Sequence, residues 1–527
     1  MQVHFANIWE SIADQVGDRT ALIHGDDRVT WRDYDEQAAR LASFFVELGL
    51  QPDSKIALYL YNGIEYVVAQ YAGFKMRGVP VNVNYRYMDN ELLYLLENSD
   101  AEVLIFHTSL GDRVERVRER ATNLKAIVEV DDGGPHVEGA LRWHDVLASH
   151  EPAVRIEGQP EDIYMLYTGG TTGMPKGVMY THGIFPLALS AFGAAITGKA
   201  APTNVDELMA LGDQLDPPPV WLTACPQMHG TGMWLGTMVP LLMKGAVVTL
   251  TNRSFDPHEL WQAVEREGVS AIIIVGDAFA KPMLRALDEK GYTAPSLKAI
   301  ASSGVMWSTE VKEGLLKHLD VMLYDALGST EGSMGATIST RSGSGTTGKF
   351  TSTPSVKVVT EDGRVVEPGS DEIGMVAAVS ASLGYFKDPE KSARTFKVID
   401  GVPHSLPGDW AKVAADGSLI LLGRGSNCIN TGGEKVFPEE VEEAVKAHPA
   451  VYDCLVVGVP DERFGERVVA VASLQPGAST DEASIVEVAG EHVARYKLPK
   501  RVIIVDTVRR APNGKADYPW AREVAAG

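Results

Sequence analysis

The chain has 527 residues, of which 45% are hydrophobic and 22% charged, and carries a formal net charge of −22. That length exceeds one ordinary hydrophobic core, so two or more domains are expected, and the acidic excess argues against a general nucleic-acid or anionic-membrane binder. The three cysteines, Cys225, Cys428 and Cys454, are scattered and odd in number, which speaks against a disulfide framework or a zinc site and fits a reducing, cytoplasmic setting.

The opening Met1-Gln2-Val3-His4-Phe5 lacks the basic and apolar regions of a secretory signal. Residues 5–147 alternate strand and helix patterns. A turn and strand are predicted over 26–31, and a helix over 34–48 with Leu41, Phe44, Phe45 and Leu48 on one side. Strands are predicted over 56–60 and 79–83, with a helix over 65–76 between them. Such alternation implies parallel sheets covered by helices. Arg113, Arg116, Arg118 and Arg120 alternate with Glu115 and Glu119, a pattern expected of a solvated helix face.

After a strand predicted over 163–167 comes Thr168-Gly169-Gly170-Thr171-Thr172-Gly173-Met174-Pro175-Lys176-Gly177, followed by another extended run over 178–181. Glycines let backbone approach a ligand closely. Hydroxyls at Thr168, Thr171 and Thr172 can join backbone N–H groups around phosphate oxygens, and Lys176 adds a compact positive charge. A Walker loop would need Gly-Lys-Ser/Thr opening a helix; here Pro175 precedes the lysine and a strand follows. The alternative is a glycine-rich hairpin with an incidental lysine.

This loop resembles the nucleotide loop of the adenylate-forming enzymes, a family of acyl-CoA synthetases, luciferases and peptide-synthetase adenylation domains. The resemblance implies joining of a carboxylate to AMP from ATP, then transfer of the acyl group to an acceptor. Gly169 stands where the family usually has serine. The resemblance implies a large α/β domain of parallel-rich sheets covered by helices, with a small β-barrel-like part, over residues 1–425. A small mobile α+β domain is implied over 426–527.

Further along, 199–219 is polar and ends in prolines, and is expected to be an insertion, either a lid over the acyl site or a long surface loop. Residues 217–243 carry no Asp, Glu, Lys or Arg. The prolines and polar residues inside that run favour a buried active-site wall over a membrane span. Cys225-Pro226-Gln227-Met228-His229-Gly230 is similar to a family element whose histidine lies beside the substrate carboxylate, which implies that role for His229. Trp234, Met233 and Met228 could wall an apolar tunnel, or simply pack the core. A buried strand over 271–275 ends in a turn, and strand ends of this kind hold ligands in such sheets; the family implies Gly276 and Asp277 in the acyl pocket.

Ser302-Ser303-Gly304-Val305 resembles the family's small-residue turn against adenine, so Ser303, Gly304 and Val305 are expected there. Leu327-Gly328-Ser329-Thr330-Glu331 resembles its Tyr-Gly-x-Thr-Glu motif, with Leu327 in place of an aromatic residue. Gly328, Ser329 and Thr330 are thereby expected near the nucleotide, and Glu331 is expected to hold Mg²⁺, which favours carboxylate oxygen. Asp409 follows Pro407-Gly408 where the family has Thr-Gly-Asp, and is expected on the ribose hydroxyls; Arg424 is expected on ribose or phosphate. Gly-Asp and Gly-Arg are common turn dipeptides, but all these motifs occur in family order.

A hinge is expected near Ser426, where the family usually has Asp or Lys. Gly432 and Gly433 would leave room for the pantetheine arm of CoA. A helix is predicted to open at Pro438, and strands over 451–459, 468–474 and 502–505. Pro512-Asn513-Gly514-Lys515 matches the family's terminal loop and implies a catalytic Lys515.

The resulting expectation is an ATP-dependent acyl-CoA synthetase using Mg²⁺ and CoA. Its acid is expected to be medium- or long-chain or bulky and apolar, by likeness to the fatty-acid and steroid side-chain ligase branch. Partners are expected to be small molecules, with no nucleic acid and no membrane span, and the oligomeric state is left open, a homodimer among the options. A ligase for a carrier protein, a luciferase-like oxygenase and a non-enzymatic nucleotide sensor are the alternatives.

Overall fold

The strand and helix patterns of the first half fold into parallel sheets in a computed structural model of the chain, which describes every residue except 171–172, 344, 432–433, 462–464 and 513. The chain forms two interleaved compact units. One comprises Met1–Gly332, Ile338–Gly345 and Ser380–Pro403; the other comprises Ser333–Thr337, Thr346–Val379 and His404–Gly527.

In the first unit, one five-stranded sheet has the order Val79–Asn82, Lys55–Tyr59, Ala101–His107, Ala126–Val130, Leu141–Arg142, and every pair in it is parallel. All five residues of Lys55–Tyr59 are buried, as expected of a strand covered on both faces. A larger sheet contains, side by side, Met322–Ser329, Ala299–Ser303, Ala271–Ile274, Val220–Thr223, Ala246–Thr249, Thr20–His24 and Asp27–Thr30. Only the last of these pairs antiparallel to its neighbour. A three-stranded antiparallel sheet joins Ser382–Tyr385, Gly173–Thr181 and Ile163–Gly170.

Several local expectations change. Trp31, expected to end a strand, opens the helix Trp31–Glu47, because the Thr30 side chain accepts the Asp33 N–H and caps it. The arginine-rich helix is only Gly111–Val117, so Arg118 and Arg120 lie beyond its last helical residue. Arg113 is not simply solvated: its guanidinium donates to the Tyr59 hydroxyl and the Tyr85 carbonyl. The 199–219 stretch, expected as a lid or loop, contains the helix Val205–Asp213. Asn204 caps it through the Glu207 N–H, and Leu208 and Leu211 are buried in the main core. Among the described residues no helix is long and apolar enough to cross a membrane.

The strand Met322–Ser329 matters for the site because it leads into Thr330 and Glu331. It is pinned by a buried ion pair: Lys312 Nζ, on the helix Thr309–His318, lies 2.6 Å from Asp325 Oδ2, with the two side chains 1% and 5% exposed. Burial pushes the Asp325 carboxyl up to about 6, and Lys312 pulls against that rise. Lys312→Met leaves the carboxylate buried without its cation, and is expected to cost about 3–5 kcal/mol of stability. A carboxyl raised in the folded state contributes stability below its unfolded pKa and loses it as pH rises through the folded value. Without Lys312 that loss deepens, so the deficit in urea midpoint should be larger above pH of about 6 than below it. Equal deficits on both sides would show that the pair does not act through charge.

In the second unit, an antiparallel sheet runs Lys349–Phe350, Leu419–Arg424, Asp409–Val413, Gly374–Val379, with Lys357–Val359 also on Gly374–Val379. A five-stranded sheet has Glu434–Val436, Ile429–Thr431, Gly465–Leu474 and Val451–Asp461 in order, with Arg501–Ile504 parallel to Gly465–Leu474. The alternating side chains of Val451–Asp461 feed two cores. Cys454 and Val456 pack with Val441, Val445 and Ile485, from the helices Pro438–Lys446 and Glu482–Ala489. Leu455 and Val457 pack with Tyr518, Ala521 and Ala525, from the helix Tyr518–Ala526.

Candidate active site

The parallel strands Ala271–Ile274, Ala299–Ser303 and Met322–Ser329 end side by side, so the turns after them share one edge of the sheet, the usual place for ligands in such folds. Gly276, Ser303, Gly304, Val305, Gly328, Ser329, Thr330 and Glu331 are thereby brought together. Gly276 has φ +56°, and a Cβ there would stand 2.7 Å from the Met306 carbonyl oxygen. Its N–H donates to Ser302 Oγ at 2.8 Å. Gly304 has φ +98° and is exposed, leaving backbone open at the turn. Asp277 bonds within the same edge, where its Oδ1 accepts from the backbone N–H and hydroxyl of Ser308.

Thr168, Gly169, Gly170 and Lys176 lie on the two strands of an antiparallel hairpin. The extended runs continue further than their sequence shows, to Gly170 on one side and from Gly173 on the other. Thr168 pairs with Lys176 across the ladder, and Gly170 with Gly173. Strand geometry and a loop lysine are therefore compatible here, since the lysine side chain projects from the second strand. Gly177 is required for packing: a Cβ would meet Met165 Sδ at 2.6 Å and Tyr167 Cε2 at 2.9 Å. Gly169 is exposed and Thr168 half-buried. Thr171 and Thr172 lie outside the described residues.

Glu331 sits at the centre of a polar cluster. It is 8% exposed; Tyr385 donates its hydroxyl to Oε1 at 2.7 Å and Thr330 donates to Oε2 at 3.0 Å. Ser380 donates to the Glu331 carbonyl, which fixes the backbone. Lys176 Nζ lies 2.6 Å from Asp388 Oδ2. This bond with Lys176 is the main reason why the Asp388 carboxyl lies below the usual range.

His229 is half-buried and begins the turn into the π-helix Thr231–Met238, where its carbonyl accepts the Met233 N–H. π-Helical turns are rare and cluster at functional sites. Thr231 Oγ1 in that segment reaches the Ser303 carbonyl at 3.4 Å. Trp234 is held in the core: its indole N–H donates to Tyr164 at 2.9 Å, and its ring packs edge-on against Phe185 and Tyr180. Met228 and Met233 are each 1% exposed.

In the second unit, Asp409 and Arg424 are cross-strand partners, with Arg424 Nε 3.2 Å from Asp409 Oδ1. Asp409 Oδ2 is buried and has no hydrogen-bond partner among the described residues, an acceptor of the kind a ribose hydroxyl would satisfy. Beside them, Glu439 accepts the Arg424 N–H at 3.4 Å. Its carboxyl fills the space over Gly423, where a Cβ would stand 2.1 Å from Oε2. Burial, with the charge of Asp409 adding to it, pushes Glu439 up to about 7. The exposed Lys515 follows Gly514, which has φ +72°. Its loop is braced by Arg510, which donates to the Gly514 carbonyl and forms a two-point pair with Asp453 at 2.6 and 2.7 Å. The backbone near Ser426 forms a single 3₁₀ turn, Gly425–Asn427. Gly432 and Gly433 lie outside the described residues.

Family models match most of this chain. The model for the AMP-binding enzyme spans residues 9–383, and that for the AMP-binding enzyme C-terminal domain spans 440–515. The chain belongs to the AMP-binding enzyme family. This AMP-binding enzyme is 40% identical to the 3-oxocholest-4-en-26-oate–CoA ligase of Rhodococcus rhodochrous, over 99% of this chain and 96% of the relative. It is 39% identical to the medium/long-chain-fatty-acid–CoA/3-oxocholest-4-en-26-oate–CoA ligase of Mycolicibacterium smegmatis, over 99% and 97%. Its fold is similar to that of the anthranilate CoA ligase AuaEII solved with anthranoyl-AMP, with a TM-score of 0.86 at 23% identity, covering 100% of this chain and 98% of that one.

Sequence reasoning missed Tyr385 and Asp388, which bond Glu331 and Lys176, and Glu439 beside Asp409 and Arg424 in the AMP-binding enzyme. The run Gly384-Tyr385-Phe386-Lys387-Asp388-Pro389 carried a turn signal and a helix start, but nothing in it names the hairpin as its neighbour.

Proposed function

We propose that this chain is an AMP-forming acyl-CoA ligase whose acid is a medium- or long-chain fatty acid or a steroid side-chain acid. Its full-length likeness to ligases for such acids carries the reading. In the first half-reaction the acid's carboxylate attacks the α-phosphate of ATP and pyrophosphate leaves; in the second the CoA thiol attacks the acyl carbonyl and AMP leaves. Positioning and charge stabilisation do most of the work in such chemistry.

In this reading Thr168, Gly169, Gly170, Thr171, Thr172 and Lys176 cradle the phosphates. Ser303, Gly304 and Val305 lie against adenine, and Asp409 and Arg424 hold the ribose. His229 orients the acid's carboxylate, Gly276 lines its pocket, and Gly432 and Gly433 admit the pantetheine arm. Mg²⁺ suits Glu331: Mg²⁺ takes one or two carboxylates, substrate phosphates and water rather than a protein cage. Among the described residues no group of three or more His, Cys, Asp or Glu side chains could form such a cage. When bound, the ion would neutralise charge on the leaving phosphates.

The test has two stages. Mixing acid and ATP should release pyrophosphate, and adding CoA should yield AMP and a thioester; no acid-dependent pyrophosphate would overturn the ligase reading. Comparison of kcat/KM for acetate, octanoate, palmitate and a sterol side-chain acid then checks the acid class. Octanoate, palmitate or the sterol acid should exceed acetate, and a preference for acetate would sink the substrate assignment.

A further inference from the structure

Beyond the loop lysine, a second ammonium group stands at the phosphate hairpin. Lys391 lies in the first turn of the helix Pro389–Thr395, whose cap is Asp388. Asp388 uses both carboxylate oxygens: Oδ1 accepts the Lys391 N–H at 3.0 Å, and Oδ2 accepts Lys176 Nζ at 2.6 Å. Lys391 Nζ lies 5.1 Å from the centre of the Tyr385 ring, and Lys176 Nζ lies 5.9 Å from the same ring. The Tyr385 hydroxyl, in turn, is bonded to Glu331. Two lysines, one from the hairpin and one from this helix, therefore converge on one tyrosine beside the carboxylate assigned to the metal.

Two features of that placement oppose a cation. A cation in the first turn of a helix opposes the positive end of the helix dipole. Burial, followed by the adjacent Lys176, pushes the Lys391 ammonium below the usual lysine range. Two carboxylates, Asp388 and Glu331, balance the two ammonium groups at rest. Were Glu331 to hold the metal ion, as the ligase reading has it, Asp388 alone would be left to balance the two ammonium groups.

We infer that Lys391 is a second cation for the departing pyrophosphate, acting with Lys176 on the outer phosphates of ATP. The inference rests on the ligase reading. As the carboxylate oxygen bonds to the α-phosphorus, the bond from that phosphorus to the bridging oxygen breaks. Pyrophosphate leaves with the electron pair, and Lys391 meets the charge that gathers on it.

Acid-dependent exchange of labelled pyrophosphate into ATP tests this with the full chain. Lys391→Gln should raise the KM for pyrophosphate by about ten- to a hundredfold, the scale of a lost charge-assisted hydrogen bond. Lys391→Arg, which keeps the charge, should recover most of that loss. Thioester formation from supplied acyl-AMP and CoA, which involves no pyrophosphate, should be unchanged in both variants and also reports that they fold. An unchanged KM for pyrophosphate in Lys391→Gln overturns the inference while leaving the ligase reading intact. Equal loss in both half-reactions overturns it in favour of a structural role. Absence of exchange in the unaltered protein removes the ligase reading, and this inference with it.

Discussion

Lys515→Ala is expected to slow acyl-AMP formation by about 10²–10³-fold, the scale of losing one preorganised charge-stabilising donor, and to leave thioester formation from supplied acyl-AMP far less affected. The asymmetry follows from the proposed two-step reaction. During adenylation negative charge develops around the α-phosphate and the incoming carboxylate oxygen, and an ammonium there stabilises the transition state. The second step needs the thiol at the acyl carbonyl, and the mobile domain that carries Lys515 is expected to have turned by then about the hinge implied near Ser426. The turn that carries Lys515 is braced by Arg510, which is bonded to Asp453 and to the Gly514 carbonyl. Truncation at Lys515 should therefore leave the fold intact. Single-turnover measurements of the two steps separate the outcomes. No change in either would make Lys515 an ordinary surface charge, and equal loss in both would mean that it does not leave the site.

Glu331→Gln should lower the adenylation rate and raise the Mg²⁺ concentration for half-maximal activity by at least about tenfold, since losses of that order follow even from changes to groups behind a metal ligand. The substitution is chosen for its shape. A glutamine oxygen can still accept from Tyr385, and the Thr330 hydroxyl can rotate to accept from the amide, so these two bonds of the carboxylate have counterparts. What is removed is the charge that attracts a hard cation. An unchanged Mg²⁺ titration would take Glu331 out of the metal assignment. A collapse of stability would instead give it a structural role in the cluster of Tyr385, Thr330 and Ser380.

The two cations at the hairpin illustrate what local reading reaches. Lys176 stands out as a candidate because its glycines, threonines and proline are its immediate neighbours, and together they restrict what that stretch can do. Lys391 does not, because its relation to the hairpin passes through Asp388, which is 212 positions from Lys176. Glu331 is a candidate from the residues beside it, whereas the Tyr385 hydroxyl that bonds it comes from 54 positions away. Glu439 read as an ordinary acid in a helix's first turn. Only the packing of that helix over Gly423 puts its carboxyl beside Asp409 and Arg424.

By itself the sequence determined the parallel α/β character, most strand and helix positions, and the order of motifs along the sheet edge. Each of these is written in short-range periodicity, caps and turn residues, which act between neighbours. It also determined the family, since the motifs recur in order over the whole chain. The tertiary structure alone decided that Trp234 is spent on Tyr164 and the core, that 199–219 contains a capped, partly buried helix, and that the loop's flanks pair as strands up to Gly170 and from Gly173. Those outcomes depend on which surfaces meet: the indole N–H needs a buried acceptor, Leu208 and Leu211 need a core to enter, and a ladder needs its partner strand.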